Sequence, residues 1–177
     1  LIQVAINPKK MGWDQVMDSL GVTKFGDGVE LLELNDIVWA KVVVKESGLN
    51  VLAVFELPKQ PAVWAPKDGE FYLMVESVEK PGNLGALLRS ADSAGANGVV
   101  LCDERIDGFH PQVIRNSVGT AFTVPLFVMD SAKAWDIIEQ NKVKLFTTFM
   151  EDAVSVWEAD LSGKVAMIVG TEHQGVS

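Results

Sequence analysis

Thiols, imidazoles and guanidinium groups are all scarce in this chain. Its 177 residues hold one cysteine, Cys102, and two histidines, His110 and His173. A single thiol excludes an internal disulfide framework, and one thiol with two imidazoles is too few for an ordinary structural zinc site. No apolar run approaches the roughly 18 residues that a membrane-crossing helix requires. Nothing at the amino end follows the charged, then apolar, then small-residue order of a secretion signal. Arg89, Arg105 and Arg115 are the only arginines, and 15 Lys+Arg stand against 24 Asp+Glu for a formal charge of −9. Proteins that hold nucleic acid by bulk charge need the opposite balance, because phosphate binding relies on neutralising cations.

What the chain does have is material for a core. Apolar residues make up 48% and charged residues 22%, which excludes a disordered or low-complexity chain. The length allows one good-sized domain or a domain with a small appendage. The sequence starts at Leu1 rather than Met and stops at Ser177 after a glycine-rich turn, so both ends are expected to continue.

From Phe71 onward, short apolar runs alternate with helix-like stretches. The runs FYLMVE (71–76), GVVLCD (98–103), VPLFVM (124–129), KLFTTFM (144–150) and KVAMIVG (164–170) have the length and the Val, Leu, Ile and Phe content of strands buried on both faces. Between them NLGALLRSADSAGA, PQVIRNSVG, SAKAWDIIEQNK and VSVWEAD place apolar residues at helical spacing, with Ser131 as a candidate N-cap and Pro111 in a first helical turn. Five strands joined by four helices predict a parallel α/β sheet covered on both faces. The first 60 or so residues break this rhythm and read as a small α+β unit. LPKQPAVWAPKDGE (57–70), with three prolines, reads as a linker or an extended crossing segment.

Three segments could carry chemistry. In the first, the turn Pro81, Gly82, Asn83, Leu84, Gly85 leads from a strand into a helix bearing Arg89, where backbone amides can approach a phosphate or ribose. The plainer alternative makes Asn83 a helix cap and Arg89 a surface ion-pair partner. In the second, a buried strand ends in Gly170, Thr171, Glu172, His173, Gln174, Gly175, at the edge where open α/β sheets place ligands. It lacks the lysine of a phosphate-binding P-loop, which argues against nucleoside triphosphate chemistry. The third gathers Arg115, Asn116, Ser117, Gly119 and Thr120 between a helix and a strand, a set that taken alone is turn chemistry. Cys102 reads as a buried inert thiol, and Asp103, Glu104 and Asp107 as a solvated loop rather than a metal site.

In this order and spacing, PGNLGALLRSADSAGANGVVL, RNSVGTAFTVP and IVGTEHQGVS resemble the SpoU/TrmH family of SPOUT RNA ribose 2′-O-methyltransferases. Asn83, Gly85, Arg89, Ala91 and Gly95 match its motif 1, and Gly170, Glu172 and Gly175 its motif 2. The family's third motif, an IPM strand and a Ser-Leu-Asn helix, does not occur before Ser177. The resemblance implies an α/β fold, a mainly parallel sheet with helices on both faces, of the trefoil-knot type with its knot segment absent from this chain. It implies a small ribosomal-protein-like substrate-binding domain over 1–60, a linker over 61–70 and a methyltransferase domain over 71–177. The implied activity is methylation of a ribose 2′-hydroxyl in ribosomal or transfer RNA with S-adenosylmethionine as cofactor and no metal.

The same resemblance implies catalytic roles for Arg89, Asn83 and Glu172, cofactor contacts at Gly170, Gly175, Thr147 and Thr148, and RNA contacts at Arg89, Arg115 and Ser117. It further implies a homodimer that joins Arg89 of one chain to the cofactor of the other, in the cytoplasm or an organelle. Arg89, Arg105 and Arg115 are then expected to share one face with lysines despite the net charge. A non-catalytic RNA-binding or scaffold protein on the same fold is the rival reading, and a small-molecule binder using the Gly170 turn is a remoter one.

Overall fold

The computed structural model describes residues 1–43, 50–148, 153–170 and 175–176. The chain divides into two units, Leu1–Pro58 and Lys59–Ser177.

In the first unit, β1 (Gln3–Ile6) is flanked by β2 (Glu30–Glu33), parallel to it, and β3 (Val51–Val54), antiparallel. Helices α1 (Trp13–Leu20) and α2 (Asp36–Val42) complete the small α+β arrangement. Val4, Ala5, Ile6, Val16 and Trp39 are its buried apolar residues among those described. Asn35 caps α2 by accepting from the amides of Ile37 and Val38, both at 3.0 Å. The fully buried Asn7 donates to Asp36 at 2.7 Å and accepts from the Lys9 amide at 3.0 Å, tying the end of β1 to the start of α2.

The second unit holds β4 (Phe71–Glu76), α3 (Pro81–Ser93), β5 (Gly98–Cys102), α4 (Pro111–Ser117), β6 (Leu126–Met129), α5 (Ser131–Asn141), β7 (Lys144–Thr147) and β8 (Val165–Val169). Its five strands are all parallel, in the order β6-β5-β4-β8-β7. Alternate residues of each strand feed two cores. Leu73, Val75, Val99 and Leu101 face Leu84, Leu88 and Ala91 of α3 and Val113 of α4. Tyr72, Met74, Val100, Ala166 and Ile168 face Ala134 and Ile138 of α5. The expected α/β sheet with helices on both faces is therefore present. Among the described residues no helix is long and apolar enough to cross a membrane.

Three expectations change. VSVWEAD (154–160) forms a single turn in which the Ser155 carbonyl accepts from the amides of Glu158 and Ala159 at 2.9 and 3.1 Å. Its apolar residues have no core to face, and Trp157 is 92% exposed. Second, Asp130 rather than Ser131 caps α5, accepting from the Lys133 amide at 2.7 Å. Third, the segment expected as a linker over 61–70 is a strap bonded to the large sheet. Gln60 accepts from the Leu126 amide at 2.9 Å, Glu70 accepts from the Tyr72 hydroxyl at 2.7 Å, and the Gly69 amide donates to Gly163 at 3.0 Å. Trp64, 2% exposed, stands edge-on to Tyr72 with ring centroids 5.4 Å apart. Burial, reinforced by the Glu70 carboxylate, pushes the Tyr72 phenol well above its ordinary pKa, so it remains a donor. Truncating a buried indole leaves a large cavity. Trp64→Ala is expected to cost about 3–5 kcal/mol of stability in denaturant unfolding.

Candidate active site at the sheet's carboxyl edge

The strand order reverses between β4 and β8, and open α/β sheets bind ligands outside the strand ends at such a point. The two strands run in register to Val75 opposite Val169. The next residue on one side is Glu76, leading through 77–80 into α3. On the other side it is Gly170. Thr147 lies at the same edge, opposite Ile168, with Thr148 beyond it. The loops carrying the Asn83 and Gly170 segments therefore leave adjacent strands at one edge of the sheet.

Pro81, with its fixed φ and no N–H, opens α3, and Lys80 rather than Asn83 occupies the N-cap position. Asn83 is half-buried in the first turn, and its amide donates to the Lys80 carbonyl at 3.0 Å. Gly82, Gly85 and Arg89 follow at three- and four-residue spacing and so share one stripe of the helix. Helix α4 crosses that stripe. A Cβ added to Gly85 would lie 2.6 Å from Asn116 Cβ and 2.9 Å from the Asn116 carbonyl carbon. Only glycine permits this approach, which brings the RNSVG segment against the Asn83 helix.

Arg89 and Arg115 are exposed on these two helices, which cover one face of the sheet. Arg105 is tied to Glu79, an exposed ion pair that bridges the loops after β5 and β4. Ser117 occupies a different environment from the one its expected RNA contact requires. It is fully buried, its hydroxyl donates to the Ile114 carbonyl at 2.9 Å, and it accepts from the Ala121 amide at 3.3 Å. It holds the end of α4 to the short 3-10 turn at Thr120–Phe122 and presents no surface to a ligand.

Beyond β8, Gly170 stands close to Gly175 and Val176. A Cβ on Gly170 would stand 1.9 Å from the Gly175 carbonyl oxygen and 2.4 Å from the Val176 amide nitrogen. Gly175 has φ +72°, and Val176 packs against the core beside Trp64 and Ile168. Residues 171–174 lie outside the described residues, and with them Glu172 and His173.

Three side chains that the sequence reading did not connect meet at this edge. Glu76, 4% exposed, accepts from the Ser131 hydroxyl at 3.2 Å, and Ser131 also donates to Asp103 through its hydroxyl and its amide. The signal was a carboxylate ending the otherwise apolar run FYLMVE. The expected solvated loop is organised by local bonds: Asp107 accepts from the Phe109 amide at 2.8 Å and Glu104 from the Gly108 amide at 3.3 Å. Among the described residues no cluster of His, Cys, Asp and Glu could hold a metal ion. Burial pushes the Cys102 thiol up to about 12, aided by Asp103, Glu76 and Asp130. His110 accepts from the Gln112 amide at 3.2 Å and caps α4.

The model of the SpoU rRNA Methylase family matches residues 70–177. The chain belongs to this family. The 23S rRNA (guanosine(2553)-2′-O)-methyltransferase RlmP of Bacillus subtilis is 30% identical over 149 residues, covering 84% of this chain and 58% of that protein. The 23S rRNA (guanosine-2′-O-)-methyltransferase RlmB of Shewanella oneidensis is 32% identical over 136 residues, covering 76% of this chain and 54% of that protein. The chain thus spans a little over half the length of these SpoU relatives. The crystal structure of an RNA 2′-O ribose methyltransferase superposes with a TM-score of 0.79 at 31% identity, over 100% of this chain and 66% of that one. The AdoMet-bound SpoU methyltransferase AviRb of Streptomyces viridochromogenes, 21% identical with a TM-score of 0.79, shares the fold over 99% of this chain and 68% of its own.

Proposed function

We propose that this SpoU protein transfers a methyl group from S-adenosylmethionine to a ribose 2′-hydroxyl of ribosomal RNA. The observation that carries the reading is that one sheet edge, at the reversal of strand order between β4 and β8, presents both the Asn83–Arg89 helix and the Gly170 segment, so that a second copy meeting this edge can bring its own Arg89 to this chain's Gly170. The ribosomal substrate is favoured by the RlmP and RlmB relatives, both named for 23S rRNA.

The residues fit the cofactor. The pinched backbone at Gly170 and Gly175 leaves no room for a side chain at 170, as a loop that wraps a ligand with main-chain atoms requires. Thr147 and Thr148 supply hydroxyls beside it. When bound, the cofactor supplies a methyl group already activated on a sulfonium centre, so the protein's task is alignment and handling of one proton. A ribose hydroxyl is a weak acid and needs help to attack: as its oxygen bonds to the methyl carbon, its proton passes to a neighbouring phosphate of the substrate RNA or to water. Arg89 orients that hydroxyl and stabilises the charge developing on its oxygen. A guanidinium is a poor base but a constant donor. When RNA is bound, Asn83 and Glu172 fix Arg89 and the RNA backbone in place. Arg115 contacts a phosphate.

We assign the protein to the cytoplasm, where ribosomal RNA is found, and to a homodimer in which Arg89 of one subunit faces the Gly170 turn of the other. Mixing two inactive variants tests both the site and the dimer. Arg89→Ala and Gly170→Val subunits, unfolded and reassembled together in equal amounts, should regain about a quarter of wild-type methyl transfer, since half the dimers carry one intact site. Recovery of none would remove the shared site.

A further inference from the structure

We propose that Asn116 is an RNA-contacting residue of this site, donating from its carboxamide to a backbone phosphate oxygen beside the target ribose. The inference rests on the methyltransferase reading for its choice of ligand, but on the fold for its choice of residue. Asn116 lies across the Gly82–Gly85 stripe of α3, its Cβ within 2.6 Å of where a Gly85 Cβ would stand and its Nδ2 within 3.7 Å of the corresponding point on Gly82. Arg89 continues the same stripe one turn further, and Arg115 precedes Asn116 on α4, so each of the two helices that meet at this amide carries an exposed arginine.

Among the described residues the side chains of Arg89, Arg115 and Asn116 make no hydrogen bond or ion pair with other protein groups, whereas Arg105 is engaged by Glu79. A half-buried carboxamide with donors unengaged incurs a desolvation cost that a ligand can offset. Two free guanidinium groups in a chain of net charge −9 specify the sign of that ligand: an anion. Ser117, the neighbouring polar residue, cannot serve, because its hydroxyl is buried and bonded within α4 and the turn that follows. A phosphodiester fits two planar cations and a neutral donor, the mixture of side chains that usually positions nucleic-acid backbones.

The test is binding of a 23S ribosomal RNA transcript by fluorescence anisotropy, alongside thermal unfolding and calorimetric S-adenosylmethionine binding. Asn116→Ala should weaken RNA binding about tenfold, and the near-isosteric Asn116→Asp should weaken it further by placing a negative charge against the phosphate. Cofactor affinity and unfolding temperature should be unchanged in Asn116→Asp. Arg115→Ala should reduce the slope of log affinity against log salt by about one, while Asn116→Ala leaves the slope alone. If Asn116→Asp binds RNA as the wild type does, the residue only packs over Gly85 and the proposal is overturned. Wild-type protein that binds RNA without methylating it would remove the methyltransferase reading and leave the Asn116 comparison intact. Wild-type protein that binds no RNA would overturn both.

Discussion

Arg89→Ala should lower kcat for methyl transfer about a thousandfold while leaving the protein folded and able to bind its cofactor. The size follows from the role: a preorganised donor aimed at a developing oxyanion contributes about 10²–10³ in rate in other enzymes. The selectivity follows from position. Arg89 is exposed on α3 and makes no ion pair or hydrogen bond among the described residues, so its loss removes no structural contact. Alanine at an exposed helical site changes stability by roughly 0.5 kcal/mol or less. A fall in kcat with little change in KM would mark an interaction made in the transition state. Arg89→Lys should recover only a small part of the activity, because an ammonium cannot reproduce the planar fork. Unchanged turnover in Arg89→Ala would refute the assignment.

Gly170→Ala should abolish useful cofactor binding without unfolding the sheet. The added Cβ would fall 1.9 Å from the Gly175 oxygen and 2.1 Å from its carbonyl carbon. Both obstacles are backbone atoms, so no side-chain rotation relieves them, and Gly170 and Gly175 must separate by roughly 1 Å or more to restore van der Waals contact. Misplacing site atoms by about that distance costs on the order of a hundredfold. A hundredfold weaker S-adenosylmethionine affinity by calorimetry is the expected result. Strand β8 ends at Val169, and its neighbours Ala166 and Ile168 stay buried, so cooperative unfolding should persist. Wild-type affinity in Gly170→Ala would mean that the turn lies away from the cofactor.

The parallel sheet was legible because strands buried on both faces need continuous apolar runs, and FYLMVE and GVVLC provide them. Periodicity was less informative at VSVWEAD, since spacing describes a face but not whether anything packs against it. The prolines around Trp64 mark an extended backbone, which reads equally as a linker or as a crossing segment, and only the burial of the indole decides for the second. Within the candidate site, glycines and arginines at motif spacing pointed to loops that leave adjacent strands at one edge of the sheet. The choice between Asn116 and Ser117 was not available from the sequence. They are neighbours on a seven-residue helix, and which one turns inward depends on how closely α4 approaches Gly85. Net charge is equally uninformative here, because −9 averages over the whole chain while Arg89 and Arg115 stand exposed on two helices that pack on the same sheet face.

That a ribose oxygen, not a base atom, accepts the methyl group is our proposal. It is tested most directly by incubating the protein with methyl-labelled S-adenosylmethionine and unmodified 23S ribosomal RNA, then digesting the product with alkali. A 2′-O-methyl group blocks cleavage of the adjoining phosphodiester, so the label should be recovered in an alkali-resistant dinucleotide. Label recovered wholly in mononucleotides would place the methyl on a base and contradict the account, as would RNA that acquires no label from cofactor-bound protein.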